Sequence, residues 1–430
     1  MNSPLKIAIA GLGTVGAGTV KLLAKQADLL EDRCSRPLVV TAVSARDKSK
    51  NRGISLGGAQ WFDDAAEMAK TADADIVVEL IGGSEGVARD VVDAAIAAKR
   101  HVVTANKALL ALHGTELALA AERAGVSLAY EAAVAGGIPI VKALREGLAG
   151  NRVDRVYGIL NGTCNYILTE MRETKRDFEV VLAEAQKLGY AEADPSFDVD
   201  GIDTAHKLAI LTSLAFGCEV DFDGVHIEGI RHISPLDIQF AEELGYRIKL
   251  LGIARSTDHG IEQRVHPCMV LEESPVAHVD DAFNAVVADG DFVDTTVYEG
   301  RGAGEGPTAS AVVADIVDIA RGSMIPTFAI PAEKLVKPQR ASMASHEGPY
   351  YVRLMVLDRP GVFADIAGAL ADHDVSMESV LQHRRAPGEA VPVVLTTHDA
   401  VEEAMRGTLE AIAGLNSVVE PPTLIRIEPL

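Results

Sequence analysis

The stretch Leu5–Gly16, LKIAIAGLGTVG, decides the fold of the N-terminal part of the chain. A short apolar run, which predicts a buried parallel strand, leads directly into glycines spaced as GxGxxG and then into a helix pattern. The first glycine allows a tight turn, the second lets the backbone approach a pyrophosphate, and the third permits close helix–strand packing. The pattern predicts a Rossmann dinucleotide-binding domain; a glycine turn without a ligand is the alternative. The predicted cofactor-binding residues are Gly11, Gly13, Thr14, Val15 and Gly16.

Further apolar runs continue the alternation of strands and helices that a parallel α/β sheet requires. The predicted elements are strands at Leu38–Ser44, Asp75–Ile81, His101–Thr104 and Val126–Tyr130 and a helix at Gly86–Ala98. After the second strand, Arg46 stands where a NAD-selective site usually offers an acid to the ribose. A guanidinium there suits a 2′-phosphate, so NADP is favoured and NAD remains possible. A solvated basic turn would give the same pattern.

The stretch Gly189–Leu211, GYAEADPSFDVDGIDTAHKLAIL, places a dense group of acids ahead of one lysine, Lys207. Asp203 and Lys207 are four residues apart at the start of a predicted buried helix. That spacing alone indicates an ordinary helix ion pair, which contributes about 0.2–0.5 kcal/mol. The acids exceed what helix capping needs, however, and the lysine lies where an apolar helix enters the protein. The stretch is therefore a candidate active site in which Lys207 donates a proton or holds a polar substrate.

Two other candidates follow predicted strands. Lys107 lies just beyond the carboxyl end of a parallel strand, where ligands bind in open α/β sheets; a surface lysine at a helix start is the alternative. Glu131 precedes the loop Ala132–Pro139, whose free carbonyls and adjacent carboxylate suit a hard cation, although a plain interdomain hinge fits equally well. Cys164 is interpreted as structural, because no histidine lies near it in sequence.

From about Pro139 the pattern changes to that of an α+β domain. Its predicted strands are Val153–Leu160, Tyr246–Ala254 and Gln263–Val270. The glycine-rich loop Gly300–Thr308 precedes a helix, Ala309–Ala320, that we expect to pack back on the first domain. The glycines predict close approach to a cofactor or substrate, with a mobile turn as the alternative.

The C-terminal part is predicted to be self-contained. Lys334–Gly348 is polar without periodicity and is interpreted as a linker. The elements predicted after it are strands at Tyr350–Leu357, Ser376–Gln382, Ala390–Thr397 and Thr423–Glu428 and helices at Val362–Ala371 and Val401–Ala413. The order βαββαβ is ferredoxin-like. Because it has no catalytic cluster, this part is expected to sense a small ligand or to dimerise.

Bulk properties exclude several classes of protein. A chain of 430 residues with 48% hydrophobic composition can form two or three domains with sizeable cores. The net charge of −22 argues against a nucleic-acid partner. No apolar run approaches the roughly 20 residues of a membrane span, and no signal peptide is expected. The four cysteines lack CxxC or metal-type spacing, so reduced thiols in a cytoplasmic protein are predicted.

Motifs along essentially the whole chain resemble homoserine dehydrogenase. They are GLGTVG at Gly11–Gly16, TANKAL at Thr104–Leu109, EAAVAGGIP at Glu131–Pro139, GILNGTCNYIL at Gly158–Leu168, AEADPSFDVDGIDTAHKLAIL at Ala191–Leu211 and GRGAGEGPTASAVVADI at Gly300–Ile316. DRPGVFADIAGAL at Asp358–Leu370 is similar to an ACT domain, which many members carry. Several long motifs in the right order are far more specific than any one of them.

The resemblance implies NAD(P)-dependent interconversion of L-homoserine and L-aspartate 4-semialdehyde, on the route to threonine, methionine and isoleucine. It assigns Lys207 to proton transfer at the substrate oxygen and Lys107 to a second position near both nicotinamide and substrate. It implies that Asp203 orients Lys207 or the reacting hydroxyl. Glu192 and Asp198 would bind the substrate, Glu192 through the ammonium group.

The resemblance also implies a nicotinamide-side contact at Gly304 and a monovalent cation, sodium, in the first loop. The cation ligands would be Glu131 with the carbonyls of Val134, Gly136 and Ile138. One departure is that Phe197-Asp198 stands where some members carry paired acids, which leaves the role of the first acid open.

The resemblance to an ACT domain implies an amino-acid effector, threonine, bound between Asp358–Val362 and Ser376–Gln382. The expected effector residues are Asp358, Pro360, Gly361 and Val362. Such domains often pair side by side across two chains, which implies a homodimer or homotetramer; dimerisation without a ligand is the alternative.

These expectations define an α/β protein of three domains. The predicted divisions are a Rossmann domain at 1–135 completed by 300–322, an α+β substrate and dimerisation domain at 136–300, a linker at 323–348 and a ferredoxin-like ACT domain at 349–430. Two rival functions are a semialdehyde dehydrogenase, which would need Cys164 as a thiolate with a histidine partner, and an amino-acid-responsive regulator. A regulator would not need the acids and the lysine of Gly189–Leu211.

Overall fold

The N-terminal part folds around a six-stranded sheet in which every pair is parallel, as a Rossmann domain requires. The structure, a computed structural model, describes residues 3–383 and 386–430. The strands are β1 (Leu5–Ala10), β2 (Leu38–Ser44), β3 (Gln60–Phe62), β4 (Ile76–Glu79), β5 (His101–Thr104) and β6 (Leu128–Ala129), in the order β3-β2-β1-β4-β5-β6. Because β1, β4 and β5 are neighbours, their carboxyl ends meet at one edge, where open α/β sheets bind ligands.

Helices cover both faces of this sheet, which explains why β1 and β4 are apolar along almost their whole length. They are α1 (Thr14–Lys25), α2 (Ala27–Cys34), α3 (Ala65–Thr71), α4 (Val87–Ala97) and α5 (Lys107–Ala124). The short strand β3 was not predicted from the sequence.

The central part pairs antiparallel strands with a set of helices. Its helices are α6 (Ile140–Lys142), α7 (Gly162–Thr174), α8 (Phe178–Leu188), α9 (Ser196–Val199), α10 (Ile202–Phe216), α11 (Pro235–Glu243) and α12 (Glu305–Ala320). Its strands are β7 (Val153–Ile159), β8 (His226–Ile227), β9 (Tyr246–Thr257), β10 (Gly260–Leu271), β11 (Phe283–Gly290) and β12 (Asp294–Arg301). The predicted return of α12 is present, since Val312 and Ile316 share a buried cluster with Ile7 and Ile9. No helix in the described ranges has the length and apolar character of a membrane span.

The C-terminal part has the predicted βαββαβ order. Its elements are β13 (Glu347–Gly348), β14 (Tyr350–Leu357), α13 (Val362–Asp372), β15 (Met377–Leu381), β16 (Ala390–Thr397), β17 (Ala400–Val401), α14 (Glu402–Ala413) and β18 (Thr423–Glu428). The sheet order β18-β14-β16-β15 is that of a ferredoxin-like fold.

The expectation that the C-terminal part is self-contained is wrong. β18 pairs in parallel with β10, so that the two sheets form one continuous ten-stranded sheet. The buried Arg264 donates to Glu428 at 2.7 Å across this junction. The preceding segment is also bound along β10, since Ile261 N donates to Gln339 O at 2.8 Å. Sequence periodicity within each part cannot show that two sheet edges will join.

A buried carboxylate on α11 also ties the two parts together. Asp237 is fully buried and accepts hydrogen bonds from Arg353 Nε at 2.6 Å and from Tyr351 Oη at 3.1 Å. Asp237 further forms a reciprocal capping box with Ser234 at the start of α11. One carboxylate therefore serves a helix end and the C-terminal strand β14.

We predict that Asp237→Ala lowers the free energy of unfolding by about 3–5 kcal/mol, because the largely buried guanidinium of Arg353 loses its carboxylate. Denaturant unfolding followed by circular dichroism measures this. Asp258→Ala, in the exposed turn between β9 and β10, is the control and should change the value by no more than about 0.5 kcal/mol. Equal free energies of unfolding for Asp237→Ala and the wild type would contradict the proposed stabilising role of Asp237.

Candidate active site

The two predicted lysines meet at one carboxylate. Asp203 and Lys207 lie one turn apart on α10, and Lys207 Nζ donates to Asp203 Oδ2 at 2.7 Å. Lys107, the first residue of α5, places Nζ 3.1 Å from Asp203 Oδ1. Asp203 is buried, whereas the Lys107 side chain retains 34% of its exposure. The structure therefore joins three of the predicted residues into one cluster, with Lys107 on its open side.

Lys207 is held by a second acceptor from another element. Its Nζ donates to the carbonyl of Leu160, directly after β7, at 2.6 Å. An ammonium group has three donors, so these two bonds leave one for a further oxygen. The position and direction of Lys207 are thus fixed, while part of its hydrogen-bonding capacity remains available.

Asn161 connects the two acids of the cluster and was not identified as a site residue from the sequence. Its Nδ2 donates to Asp198 Oδ1 and to Asp203 Oδ2, both at 2.8 Å. Its Oδ1 accepts from Cys164 N at 2.8 Å and caps α7. An asparagine between a strand and a helix predicts helix capping. The sequence does not indicate which acceptors its side-chain NH₂ group will bind.

The charges of the cluster shift each other's protonation. Burial raises the pKa of Asp203, but the charges of Lys207 and Lys107, with hydrogen bonds to the carboxylate, outweigh it and hold this pKa well below its usual range. Burial lowers the pKa of Lys207, and Asp203 opposes this shift. Burial raises the pKa of Asp198 against its hydrogen bond from Asn161. Asp203 is therefore a firm anion beside a lysine that releases its proton more readily than an exposed one.

Aromatic side chains flank the open side of the cluster. Lys107 Nζ lies 5.7 Å from the centroid of the Phe197 ring, within the range of a cation–π contact. Phe197 also packs on His206, whose pKa burial lowers to about 4. Phe197 thus contacts Lys107 through its ring.

Two other residues of the acidic stretch lie elsewhere. Glu192 is exposed, and no residue in the described ranges hydrogen-bonds its carboxylate. Asp200 pairs with Arg231 rather than with a lysine of the cluster. The contacts of the cluster therefore include Asp198 and Asp203 but not Glu192.

Cys164 lies beside the cluster without the environment of a nucleophile. It is fully buried, and its Sγ donates to the carbonyl of Asp198 at 3.2 Å. Burial raises its pKa well above the usual value, and the charges of Asp198 and Asp203 add to this. A thiolate is disfavoured at this position, which agrees with the structural interpretation.

A cleft of about 570 Å³ lies over the carboxyl ends of β1, β2 and β4. Gly11 has φ +98°, and a Cβ there would lie 2.5 Å from Leu80 O; a Cβ on Gly16 would lie 2.0 Å from Gly11 O. α1 begins at Thr14, so its first backbone N–H groups have no partner within the helix and suit a pyrophosphate. The lining residues include Gly11, Gly13, Ser44, Arg46, Lys50, Leu80 and Ile81.

The loop that follows Glu131 contains several buried residues whose oxygens were predicted to bind a cation. Glu131 is buried and accepts from Val141 N and Lys142 N, both at 2.9 Å. Burial, and next the charge of Asp315, raises the pKa of Glu131 to about 7. The residues Val134 and Gly136 are buried, and within the described ranges their carbonyls accept no backbone hydrogen bond, whereas that of Ile138 accepts from Ile140 N at 2.8 Å.

The remaining predicted residues lie at helix starts. Gly304 is the residue before α12, and its neighbour Gly302 approaches Gly136 of the first loop. In the C-terminal part, Gly361 precedes α13, with Pro360 exposed and Val362 buried. Asp358 accepts from Ala386 N at 2.7 Å, so its carboxylate is bound to the segment between β15 and β16.

We predict that Lys207 loses its proton at a lower pH than an ordinary lysine, whose pKa is about 10.4, and that Asp203→Asn lowers its pKa further by removing the charge that opposes burial. A pH titration of protein carrying ¹³C-labelled lysine, followed by NMR, measures both, and Lys207→Arg identifies the resonance. Titration of Lys207 at or above the ordinary value would contradict this description.

Comparisons with known proteins agree with this geometry. A family model described as homoserine dehydrogenase matches residues 139–317, one described as homoserine dehydrogenase, NAD binding domain, matches 11–131, and an ACT domain model matches 350–414. Homoserine dehydrogenase of Pseudomonas aeruginosa is 44% identical over 434 residues, covering 99% of each chain.

Solved structures show the same likeness. A homoserine dehydrogenase from Thiobacillus denitrificans has a TM-score of 0.93 and 45% identity, covering 99% of this chain and 98% of its own. A hyperthermophilic archaeal homoserine dehydrogenase in complex with NADPH has a TM-score of 0.63 and 26% identity, covering 73% of this chain and 97% of its own. The chain belongs to the homoserine dehydrogenase family, whose members are NAD(P)-dependent oxidoreductases acting on a CH–OH group.

Proposed function

We propose that the Lys207–Asp203–Lys107 cluster interconverts L-homoserine and L-aspartate 4-semialdehyde, in the biosynthesis of threonine, methionine and isoleucine. The observation that carries the proposal is that one buried carboxylate holds two lysines of different elements. Lys107 follows β5, two strands from the glycine turn after β1, so the lysines and the dinucleotide cleft share one edge of the sheet. This arrangement supports a reaction in which the proposed catalytic lysines act next to the proposed cofactor cleft.

The proposed chemistry divides between cofactor and protein. The bound dinucleotide supplies hydride exchange with the substrate carbon. The third hydrogen-bonding position of Lys207 receives the substrate oxygen, gives it a proton during reduction and takes the proton during oxidation. The positive charges of Lys207 and Lys107 stabilise the alkoxide character that develops on that oxygen. Asp203 keeps both ammonium groups directed at the same point.

The acids outside this pair are proposed to recognise the substrate. The free carboxylate of Glu192 is available to an ammonium group. Asp198 has one oxygen held by Asn161, which orients the other toward a ligand. These roles match the amino group that distinguishes homoserine from a simple alcohol.

Lys207→Met should lower kcat by about 10²–10⁴-fold, the usual loss when a positioned acid–base group is removed, and leave the affinity for the dinucleotide unchanged. The assay follows absorbance of the reduced nicotinamide with L-homoserine, and fluorescence titration gives the affinity. Lys175→Met, which removes an exposed lysine from an ion pair with Glu242, is the matched control and should keep full turnover. Wild-type turnover in Lys207→Met would refute the proposed role.

We infer a preference for NADP over NAD, with NAD as a usable alternative. Arg46 is exposed and lines the cleft beyond β2, and Lys50 lines the same region. Asp47, the acid nearest to that strand end, is held by Ser49 Oγ, which donates to it at 2.6 Å. Arg46, Lys50 and Arg52 therefore bring positive charge to the part of the cleft proposed for the adenosine ribose, where Asp47 and Asp63 also line the wall.

Arg46→Ala should weaken NADP relative to NAD by about tenfold to a hundredfold in kcat/KM, because a charge-assisted hydrogen bond is worth about 1.5–3 kcal/mol. Steady-state kinetics with both dinucleotides give the ratio. Lys25→Ala, an exposed lysine at the far end of α1, should leave the ratio unchanged. An unchanged ratio in Arg46→Ala would show that Arg46 does not read the 2′-phosphate.

We also propose a sodium ion at the first loop. The buried carbonyls of Val134 and Gly136, which accept no backbone hydrogen bond within the described ranges, are oxygen donors, and burial and the charge of Asp315 raise the pKa of the neighbouring Glu131 carboxylate. Oxygen donors of this kind suit a hard cation. The residues present fit the ion, with Glu131, Val134, Gly136 and Ile138 as the proposed ligands.

The C-terminal part is proposed to be a regulatory module for threonine, and the chain to form a homodimer or homotetramer in the cytoplasm. The expected effector loop, 358–362, lies at the start of α13, next to a largely apolar cavity of about 290 Å³ between α13 and the sheet. The proposed cytoplasmic location is supported by four free, buried cysteines, which are Cys34, Cys164, Cys218 and Cys268.

A further inference from the structure

We infer that Glu79 is a positioning residue that fixes Lys107 and the wall of the cofactor cleft; the inference rests on the proposed role of Lys107. Glu79 is the last residue of β4 and is fully buried. Within the described ranges no lysine or arginine pairs with it. A carboxylate kept in such a place needs hydrogen bonds to offset its burial, and their partners indicate its task.

The carboxylate binds the loops that follow two adjacent strands. Glu79 Oε1 accepts from Ile81 N at 2.7 Å and from Gly82 N at 3.1 Å, which bends the chain back after β4. Glu79 Oε2 accepts from Thr104 Oγ1 at 2.6 Å, at the end of β5. Ile81 lines the cofactor cleft, so one oxygen orders the cleft wall and the other reaches the strand that leads to Lys107.

The contact with Thr104 continues to the start of α5. Asn106 N donates to Thr104 Oγ1 at 3.0 Å, and Asn106 Oδ1 caps α5 by accepting from Leu109 N at 3.1 Å. Asn106 Nδ2 donates to Gly83 O at 2.7 Å, which closes the connection between the two loops. Lys107 is the next residue, so its backbone is fixed by this chain of bonds.

The donor and acceptor groups available fix the direction of each hydrogen bond between Asn106, Thr104 and Glu79. The backbone N–H of Asn106 can only donate, so Thr104 Oγ1 accepts a hydrogen bond from it and donates its own single proton to Glu79. In Glu79→Gln the amide oxygen would face the two backbone N–H groups and the NH₂ would face Thr104. The threonine proton would then have no acceptor. Glu79→Gln keeps the shape of the side chain but places a donor where Thr104 needs an acceptor. This substitution should therefore loosen Asn106 and Lys107.

The test compares Glu79→Gln and Thr104→Val with Thr104→Ser, which keeps the hydroxyl. We expect kcat to fall on the order of 100-fold in the first two, as for an ångström-scale displacement of a catalytic group, with near wild-type kcat in Thr104→Ser. Hydrogen exchange of the free protein should show faster exchange at Ile81, Gly82 and Asn106 in Glu79→Gln. Ser234→Ala, which removes the cap of the remote α11, is the stability control and should keep kcat.

The outcomes separate this inference from the proposed function. Lys107→Met is assayed in parallel; full turnover in that variant would overturn the proposed role of Lys107 itself. Lost turnover in Lys107→Met together with unchanged kcat and exchange in Glu79→Gln and Thr104→Val would overturn the positioning role alone. Equal loss of kcat in Ser234→Ala and Thr104→Val would show that stability, rather than position, is responsible. If Glu79→Gln does not fold, the isosteric Thr104→Val decides.

Discussion

The ion pairing at Asp203 is the interaction on which the arrangement of the site depends. One carboxylate takes Lys207 and Asn161 on one oxygen and Lys107 on the other. Placing two ammonium groups so close together, one of them buried, is costly unless a well-placed anion and hydrogen bonds compensate. Because the lysines come from α5 and α10, this contact also links the Rossmann part to the central part.

The larger fold supports this contact from two sides. The parallel sheet delivers Lys107 at its ligand-binding edge, and the antiparallel sheet supports the buried helix α10. The C-terminal strand extends the second sheet, where Arg426 pairs with Glu228 at 2.9 Å. Near Glu228, Ile230 N donates to Val199 O, one residue beyond Asp198. Continuous contacts therefore run from the C-terminal part to the acidic stretch.

The sequence predicted a helix or strand well where a single pattern of apolar residues specified it. The strands at Leu5–Ala10 and Tyr350–Leu357 have the predicted bounds, because uninterrupted or alternating apolar runs specify them directly. The i, i+4 pair on α10 was predicted for the same reason. Asn161 and Glu79 were not identified, since the side chains they bind, Asp198 and Asp203 for Asn161 and Thr104 for Glu79, come from distant parts of the chain. The continuous sheet was missed because strand edges carry no sequence signal for a remote partner.

A structure of the Lys207→Met variant with NADP⁺ and L-homoserine bound would test whether the two lysines hold the reacting oxygen. The variant should hold the substrate without turnover, so that the reacting oxygen can be located. We expect this oxygen next to the position of the Lys207 ammonium and within about 2.6–3.2 Å of Lys107 Nζ or of a water bound there, with the amino group near Glu192 or Asp198. A substrate oxygen remote from both lysine positions would contradict it.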